Sequence, residues 1–348
     1  MFIFNPEHEL ALANNDENFM PKASTKKLAE DLRFLSFWCE QTDKISVWGW
    51  NKYIRKKLIL SGIDKNILPS DEYLQNIREL SHRKTASEAM FFLRREIATP
   101  LPYPAEILKN ITEIEHFAQK YYEIVLKSPY SSSGKGVYFS GKDLSNSVLG
   151  WCKKTVTQQG CVLGEKRFEV VKNFAMEFQV VDNQTNFVGY SLFETDGKIY
   201  RNNILTSDEN IEKTISRCGI DLRVLNAVKQ SLIKFFNQKI AQKYSGFLGV
   251  DMFVFQENGK KFLNPCVEIN LRHTMGLVAH KFYKNFVLPN SEGIFSIDFY
   301  ENSTELFQNH KQNFIDKPLI IKDNKIVNGY LSLCPVFENT NYRVRVEI

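Results

Sequence analysis

Apolar and polar positions along the first hundred residues switch between short apolar runs and helical periods. Residues 1–4 form a brief apolar run that breaks at Asn5-Pro6, which predicts a strand. Residues 21–35 predict a helix, with Lys22, Lys26, Lys27 and Glu30 on a polar face and Leu28, Leu32 and Leu35 on an apolar one. Residues 44–48 predict a second strand closed by Gly49, and residues 51–61 a second helix. Strand, helix, strand, helix is the start of an open α/β sheet. Ligands in such sheets bind at the carboxyl ends of the strands, which here carry Asn5, Glu7, His8 and residues 48–51. The segment from Asn5 also reads as a helix start, with Asn5 as its cap and Glu7 in the first turn.

Further along, residues 81–97 follow a helical period with Ala86, Ala89, Met90 and Leu93 on one side. Pro100, Pro102 and Pro104 end that helix, force extended chain and mark a domain boundary. Residues 112–121 predict a helix and 123–127 a strand; a Ser/Gly loop follows, and the chain is extended again over 136–140. Residues 161–165 predict another strand, and 173–181 alternate like an edge or half-buried strand. Residues 186–194 and 198–202 pair across Asp196-Gly197, and 249–256 and 261–270 across Asn258-Gly259. Between these hairpins, residues 221–243 predict a long amphipathic helix. Beyond Phe286, a hairpin through Asp323-Asn324 and a terminal strand over 342–348 complete the reading. The sequence has no internal repeat and no low-complexity segment.

Composition narrows the class. Hydrophobic residues make up 43% of the 348 and charged ones 24%, as in a soluble globular chain of two or three subdomains. A net charge of +5 permits an acidic substrate such as a nucleotide or a polycarboxylate. Lys and Arg are interleaved with Asp and Glu throughout, which argues against a nucleic-acid surface. The six cysteines contain no C-x-x-C pair, which favours free thiols in a reducing compartment over a zinc site or a disulfide framework. The amino-terminal residues lack the regions of a signal peptide, and no stretch approaches the ~18 apolar residues of a spanning helix. A cytoplasmic protein without membrane contact is expected.

Two segments carry the chemistry. Lys127 ends an apolar strand, where an ammonium needs an anionic partner or water. The loop Ser131, Ser132, Ser133, Gly134, Lys135 and Gly136 follows. Its small residues let backbone N–H groups and hydroxyls approach phosphate oxygens, and Gly134 and Gly136 are free to take positive φ. It is not the P-loop pattern, because no Gly stands at the required first position and Lys135 is followed by Gly. A plain solvated hairpin loop is the alternative. In the second segment, Asp251 lies on one strand of a predicted hairpin, and Glu268 and Asn270 lie two apart on the other, sharing a face. Two carboxylates and an amide oxygen suit Mg2+, which takes hard oxygen ligands and leaves positions for phosphate and water. Arg272 continues that face with a planar guanidinium that suits a carboxylate or a transferring phosphoryl group. The alternative is the exposed polar face of a hairpin. His273 is a pocket candidate and reads equally well as a half-buried histidine, whereas Trp48 and Trp50 read as packing residues.

In this order the segments resemble the ATP-grasp superfamily: a strand ending in Lys127, a small-residue loop, the acidic strand end Glu165, Gly249-Val250-Asp251, and Glu268-Ile269-Asn270-Leu271-Arg272. The resemblance spans about residues 80–290. It implies an α/β fold, α+β in the ATP lobes, with ATP between two β-sheets. The implied division is an N-terminal open α/β domain over 1–80, a first lobe over 81–163, a second lobe with the metal site over 164–290, and a C-terminal β-rich extension over 291–348. Lys127 would contact the α-phosphate and the adenine side, and residues 131–136 would close over the β- and γ-phosphates. Glu165 would bind the adenine amino group, with Lys166, Arg167 and Phe168 as the hinge and Asn173 at the ribose position, where the family usually has a carboxylate. Asp251, Glu268 and Asn270 would hold two Mg2+ ions, with Mn2+ as a substitute, and Arg272 would steady an acyl phosphate. Arg83 or Lys84 would supply an earlier basic contact, and Lys198 and Arg201 further phosphate contacts.

Leu271 and residues 273–276 depart from the family's Pro after the Asn and Gly-Gly after the Arg. That departure bears on the second substrate, for which Arg272, His273 and His8 are the candidates. The implied activity is an ATP-dependent carboxylate–amine ligase acting on small-molecule or peptide substrates, with catalytic weight on Arg272 and Lys127 and with a homodimer compatible. The alternatives are an ATP-grasp kinase with a hydroxyl acceptor and a non-catalytic ATP-binding sensor. A dehydrogenase is disfavoured, because no G-x-G-x-x-G follows an early strand.

Overall fold

Two antiparallel sheets organise this computed structural model, which describes residues 2–39, 44–131, 134, 136–197 and 199–348, without the side chains of Cys39 and Ile199. The larger sheet has eight strands in the order Lys260–Asn270, Gly246–Glu257, Glu169–Val181, Gln184–Asp196, Ile199–Leu205, Gly293–Phe299, Tyr342–Glu347 and Tyr330–Ser332. The smaller has four, in the order Glu106–Leu108, Val162–Lys166, Glu123–Lys127 and Val137–Gly141.

Period-two alternation gives each sheet a dry face and a site face. In the larger sheet Phe174, Met176 and Phe178 pack with Leu248, Val250 and Met252 against the helix Leu222–Lys239, which buries Leu225, Val228, Leu232, Phe235 and Phe236. The intervening positions, Ala175, Glu177, Gly249 and Asp251, therefore occupy the opposite face. In the smaller sheet Ile124, Leu126 and Val162 pack on the helices Ile111–Ala118 and Asn146–Gln159. That turns Val125, Lys127, Leu163 and Glu165 toward the larger sheet; Lys127, Leu163 and Glu165 line one cavity with Asn264, Cys266 and Val267.

The mixed α/β class is as expected, with differences in detail. Among the described residues, the N-terminal open sheet is the parallel pair Phe2–Ile3 and Ser46–Val47. Asn5 does not cap a helix. Its side chain donates to Gly49 O (2.9 Å) and accepts from Gly49 N (3.2 Å), so it staples the two strand ends together. The helix His8–Asn14 begins after Glu7, with no side-chain cap. Asn51, by contrast, caps the helix Lys52–Leu60 by accepting from Ile54 N at 2.9 Å. The strand Glu169–Val181 is central, between Gly246–Glu257 and Gln184–Asp196, and not an edge. Residues 291–348 add three strands to the larger sheet and carry the expected hairpin, which turns at Asp323 and Asn324 with φ of 51° and 59°. The five described cysteines are free. Among the described residues, no helix is long and apolar enough to cross a membrane.

Candidate nucleotide and metal site

Register brings the acidic residues together. Asp251 is directly opposite Glu268, and Gly249 is opposite Asn270. On its other side Gly249 is opposite Glu177, and Asp251 is opposite Ala175. Burial, and then the neighbouring Glu268, push the Asp251 carboxyl up to about 7. Two carboxylates facing each other in a dry setting form a site that favours a cation. Asn270 Nδ2 lies 3.4 Å from Asp251 Oδ2, and Arg272 Nη2 donates to Asn270 Oδ1 at 3.1 Å. The amide oxygen is thus turned to Arg272; a half-turn of the amide presents it to the carboxylates instead. Among the described residues, no three His, Cys, Asp or Glu side chains are grouped to hold a metal on their own. Two carboxylates and one amide fit Mg2+ whose remaining ligands are phosphate and water oxygens.

The opposing wall is basic. Lys127 is buried and ion-paired with Glu165. Arg83, just before the helix Lys84–Glu96, donates from Nη1 to Ser128 O (2.5 Å) and Ser131 Oγ (2.8 Å), and from Nη2 to Glu268 Oε1 (2.8 Å). Of Arg83 and Lys84, Arg83 reaches the acidic face and Lys84 is exposed. Gly134 takes the expected positive φ, 73°. Gly136 does not; its lack of a side chain makes room, because a Cβ there would lie 2.7 Å from Ser131 Oγ and closer still to Ser128 Oγ. Ser132, Ser133, Lys135 and Lys198 lie outside the described residues. Arg201 is exposed on the strand Ile199–Leu205.

In the segment expected as the hinge, Phe168 packs on Phe255 with ring centroids 4.2 Å apart, Lys166 pairs with Glu257, and Arg167 pairs with Glu123 at 3.0 Å. A cavity of about 340 Å³ opens there, lined by Leu101, Pro102, Tyr103, Glu165, Phe168 and Phe255 among others. Glu106, Lys166 and Glu257 also line it; aromatic and proline walls with polar groups among them suit a flat base bearing an amino group. Asn173 is opposite Phe253 and donates to Thr195 Oγ1 at 3.3 Å.

Arg272 is held on three sides: Nε pairs with Glu9, Nη1 donates to His273 O at 2.9 Å, and Nη2 donates to Asn270. Burial opposes the Arg272 charge, and Glu9, Glu268 and Asp251 together more than restore it, so the guanidinium stays charged. His273 itself sits among Phe2, Trp48 and Phe247, and burial lowers its pKa to about 3. Its backbone N donates to Trp48 O at 2.9 Å. The residue thus joins the N-terminal strands to the larger sheet, and its burial among aromatic rings fits the packed-histidine alternative of the sequence reading. His8 is also buried, against Gly49 and Asn51, and burial lowers its pKa to about 4. The neighbour that reaches Arg272 is Glu9.

Glu177 went unrecognised in the sequence. It is fully buried on the acidic face; Oε1 accepts from Thr274 Oγ1 (2.9 Å) and Ser191 Oγ (3.2 Å), while Oε2 has no hydrogen-bond partner. A Cβ on Gly249 would lie 2.8 Å from that oxygen. Burial pushes the carboxyl up to about 7, with Asp251 adding to the effect. One acidic residue alternating with Phe174, Met176 and Phe178 was the available signal.

Solved structures with the same arrangement of sheets include N5-carboxyaminoimidazole synthetase from Staphylococcus aureus complexed with ADP (17% identity, TM-score 0.51, covering 99% of this chain and 85% of that one). Another is the biotin carboxylase–βγ-ATP complex from Campylobacter jejuni (11% identity, TM-score 0.54, 99% and 86%). A third is N5-carboxyaminoimidazole ribonucleotide synthetase from Thermus thermophilus (13% identity, TM-score 0.51, 100% and 94%). No protein-family model and no curated protein matches the sequence. With a four-stranded sheet ending in Lys127 set against an eight-stranded sheet bearing Asp251, Glu268 and Asn270, the chain has the ATP-grasp fold.

Proposed function

We propose that the chain is an ATP-dependent ligase that joins a carboxylate to an amine. One observation carries the reading: Asp251 and Glu268 face each other beside the half-buried Arg272, across from Arg83 and Lys127. Carboxylates for a hard cation, cations for phosphates and a fixed guanidinium next to both are what phosphoryl transfer to a carboxylate requires. The ADP and βγ-ATP complexes of the similar proteins support a nucleotide in this cleft.

In this reading the hinge cavity takes the base, with Glu165 at its amino group. Arg83, Lys127 and the loop from Ser131 to Gly136 face the phosphates, and Asp251, Glu268 and Asn270 would hold Mg2+, which offsets phosphate charge. A substrate carboxylate oxygen attacks the γ-phosphorus, the bond to the bridging oxygen breaks, and ADP leaves. The amine nitrogen then attacks the acyl carbon of the acyl phosphate, the carbon–oxygen bond to phosphate breaks, and phosphate and a proton are released. Arg272, fixed by Glu9 and His273 O, keeps N–H groups on both terminal nitrogens for the carboxylate and its acyl phosphate. Mn2+ would serve in place of Mg2+ at the same oxygen ligands.

The test supplies purified protein with Mg-ATP and pooled amino acids, short peptides and other carboxylates and amines. Phosphate release should require one member of each class, and the product mass should equal their sum less one water. A phosphorylated hydroxyl product would instead mark a kinase. If no pool stimulates ADP formation, the enzymatic reading fails.

A further inference from the structure

Arg83 touches three parts of the site at once. It precedes the helix Lys84–Glu96, its Nη1 holds Ser128 O and Ser131 Oγ at the base of the phosphate loop, and its Nη2 holds Glu268 at 2.8 Å. Its Nε is buried without a hydrogen-bond partner. The pair is mostly withdrawn from water, with side-chain exposures of 7% for Arg83 and 24% for Glu268. Lys127 and Glu165 repeat the pattern beside it. Arg83 and Lys127, the two cations of this wall, are therefore each neutralised by a carboxylate suited to the metal or to the base.

A buried pair of this kind resists losing one partner, because the other is left as an unpaired buried charge. A cation that takes Glu268 strands Arg83 unless phosphate oxygens arrive to meet the guanidinium. Phosphates that take Arg83 strand Glu268 beside Asp251 unless a cation arrives. We infer that Arg83 is a partner-exchange residue, passing from Glu268 to the nucleotide phosphates as Glu268 passes to the divalent cation, so that neither ligand binds well alone. The inference rests on the nucleotide reading of the cleft. It adds a coupling carried by the protein to whatever coupling the cation and phosphates have through direct contact. Because Arg83 also holds Ser131, the exchange sets the base of the phosphate loop at the same moment.

Calorimetric titration of ADP in EDTA separates the exchange from a general charge effect, using wild type, Glu268→Gln, Arg83→Gln and the double variant. Wild type with Mg2+ present provides the reference. Glu268→Gln should bind metal-free ADP roughly fivefold or more tightly than wild type, the low end of typical site coupling. In the Arg83→Gln background the same substitution should change ADP affinity little, because the interaction it releases is gone. Arg83→Gln should also bind Mn2+ without nucleotide more tightly than wild type. If Arg83→Gln does not fold, Arg83→Met, which keeps the aliphatic stem without the charge, takes its place in the cycle. An equal gain from Glu268→Gln with and without Arg83, or no gain, overturns the exchange while leaving the nucleotide reading intact. Wild type that binds ADP neither with nor without Mg2+ overturns both.

Discussion

Replacing Glu177 with Gln should flatten the pH dependence of stability. In the folded chain burial holds the Glu177 carboxyl at about 7, against 4.5 for an ordinary glutamate. The folded state therefore binds this proton more tightly than the unfolded state. The stability it contributes is full below pH 4.5 and is lost as pH rises through about 7. At 1.36 kcal/mol per pH unit the loss is roughly 3 kcal/mol. Gln is nearly isosteric, its amide oxygen can keep the bonds from Thr274 and Ser191, and it does not titrate. Asp251 is also held at about 7, first by burial, so wild type alone would mix two titrations; the difference between the proteins reports Glu177 together with its interaction with Asp251. Urea unfolding in EDTA at pH 5 and pH 8 measures it. Wild type should lose roughly 3 kcal/mol more than Glu177→Gln between those values. Parallel pH dependences in the two proteins would refute a buried, proton-holding carboxyl at this position.

Three further outcomes follow from packing and charge. Gly276→Ala places a Cβ about 2.5 Å from Glu177 Oε1 and closer to Ser191 Oγ, and should lower stability by roughly 1–3 kcal/mol in urea unfolding. Arg343 is 1% exposed and bonded to Asp298, Asn309 and the Tyr330 hydroxyl. Its replacement by Ala should cost on the order of 3–5 kcal/mol while leaving ADP affinity unchanged, because its strand stands five strands from Gly246–Glu257. Lys127→Met should weaken ADP binding by roughly 1.5–3 kcal/mol, the range for a hydrogen bond to a charged group, with no loss of the Mg2+ dependence. Calorimetry with and without the metal checks that separation.

The strand pattern made the second lobe legible before any coordinates. Glu268 and Asn270 could be set on one face because they stand two apart on one strand, whereas the pairing of Asp251 with Glu268 depends on a register shift between Asp251 and Phe253 that the Asn258-Gly259 turn does not report. Lys127 stood out because charge at the end of Ile124, Val125 and Leu126 demands a partner. What stayed hidden depends on contacts between distant segments. Glu9 meets Arg272 across 263 positions, and no local period reports such a pair. His273 looked like a ligand because its sequence neighbour is Arg272, yet a turn sends it into Phe2, Trp48 and Phe247. Asn5 resembled a helix cap because capping chemistry and strand stapling use the same short amide. The helices Asp71–Leu80 and Asn146–Gln159 also went unread; the second buries only Val148, Cys152 and Thr155, a thin apolar stripe.

Calorimetric titration of ADP into wild type and Asp251→Asn, each with and without Mg2+, tests the nucleotide–metal site most directly. Wild type should bind ADP, and Mg2+ should strengthen that binding roughly tenfold or more, within the usual range of site coupling. Asp251→Asn should bind ADP without that gain, because one of two facing carboxylates is removed while Lys127 and Arg83 remain. Wild-type binding that ignores Mg2+, or an undiminished Mg2+ gain in Asp251→Asn, would contradict a magnesium–nucleotide site between the two sheets.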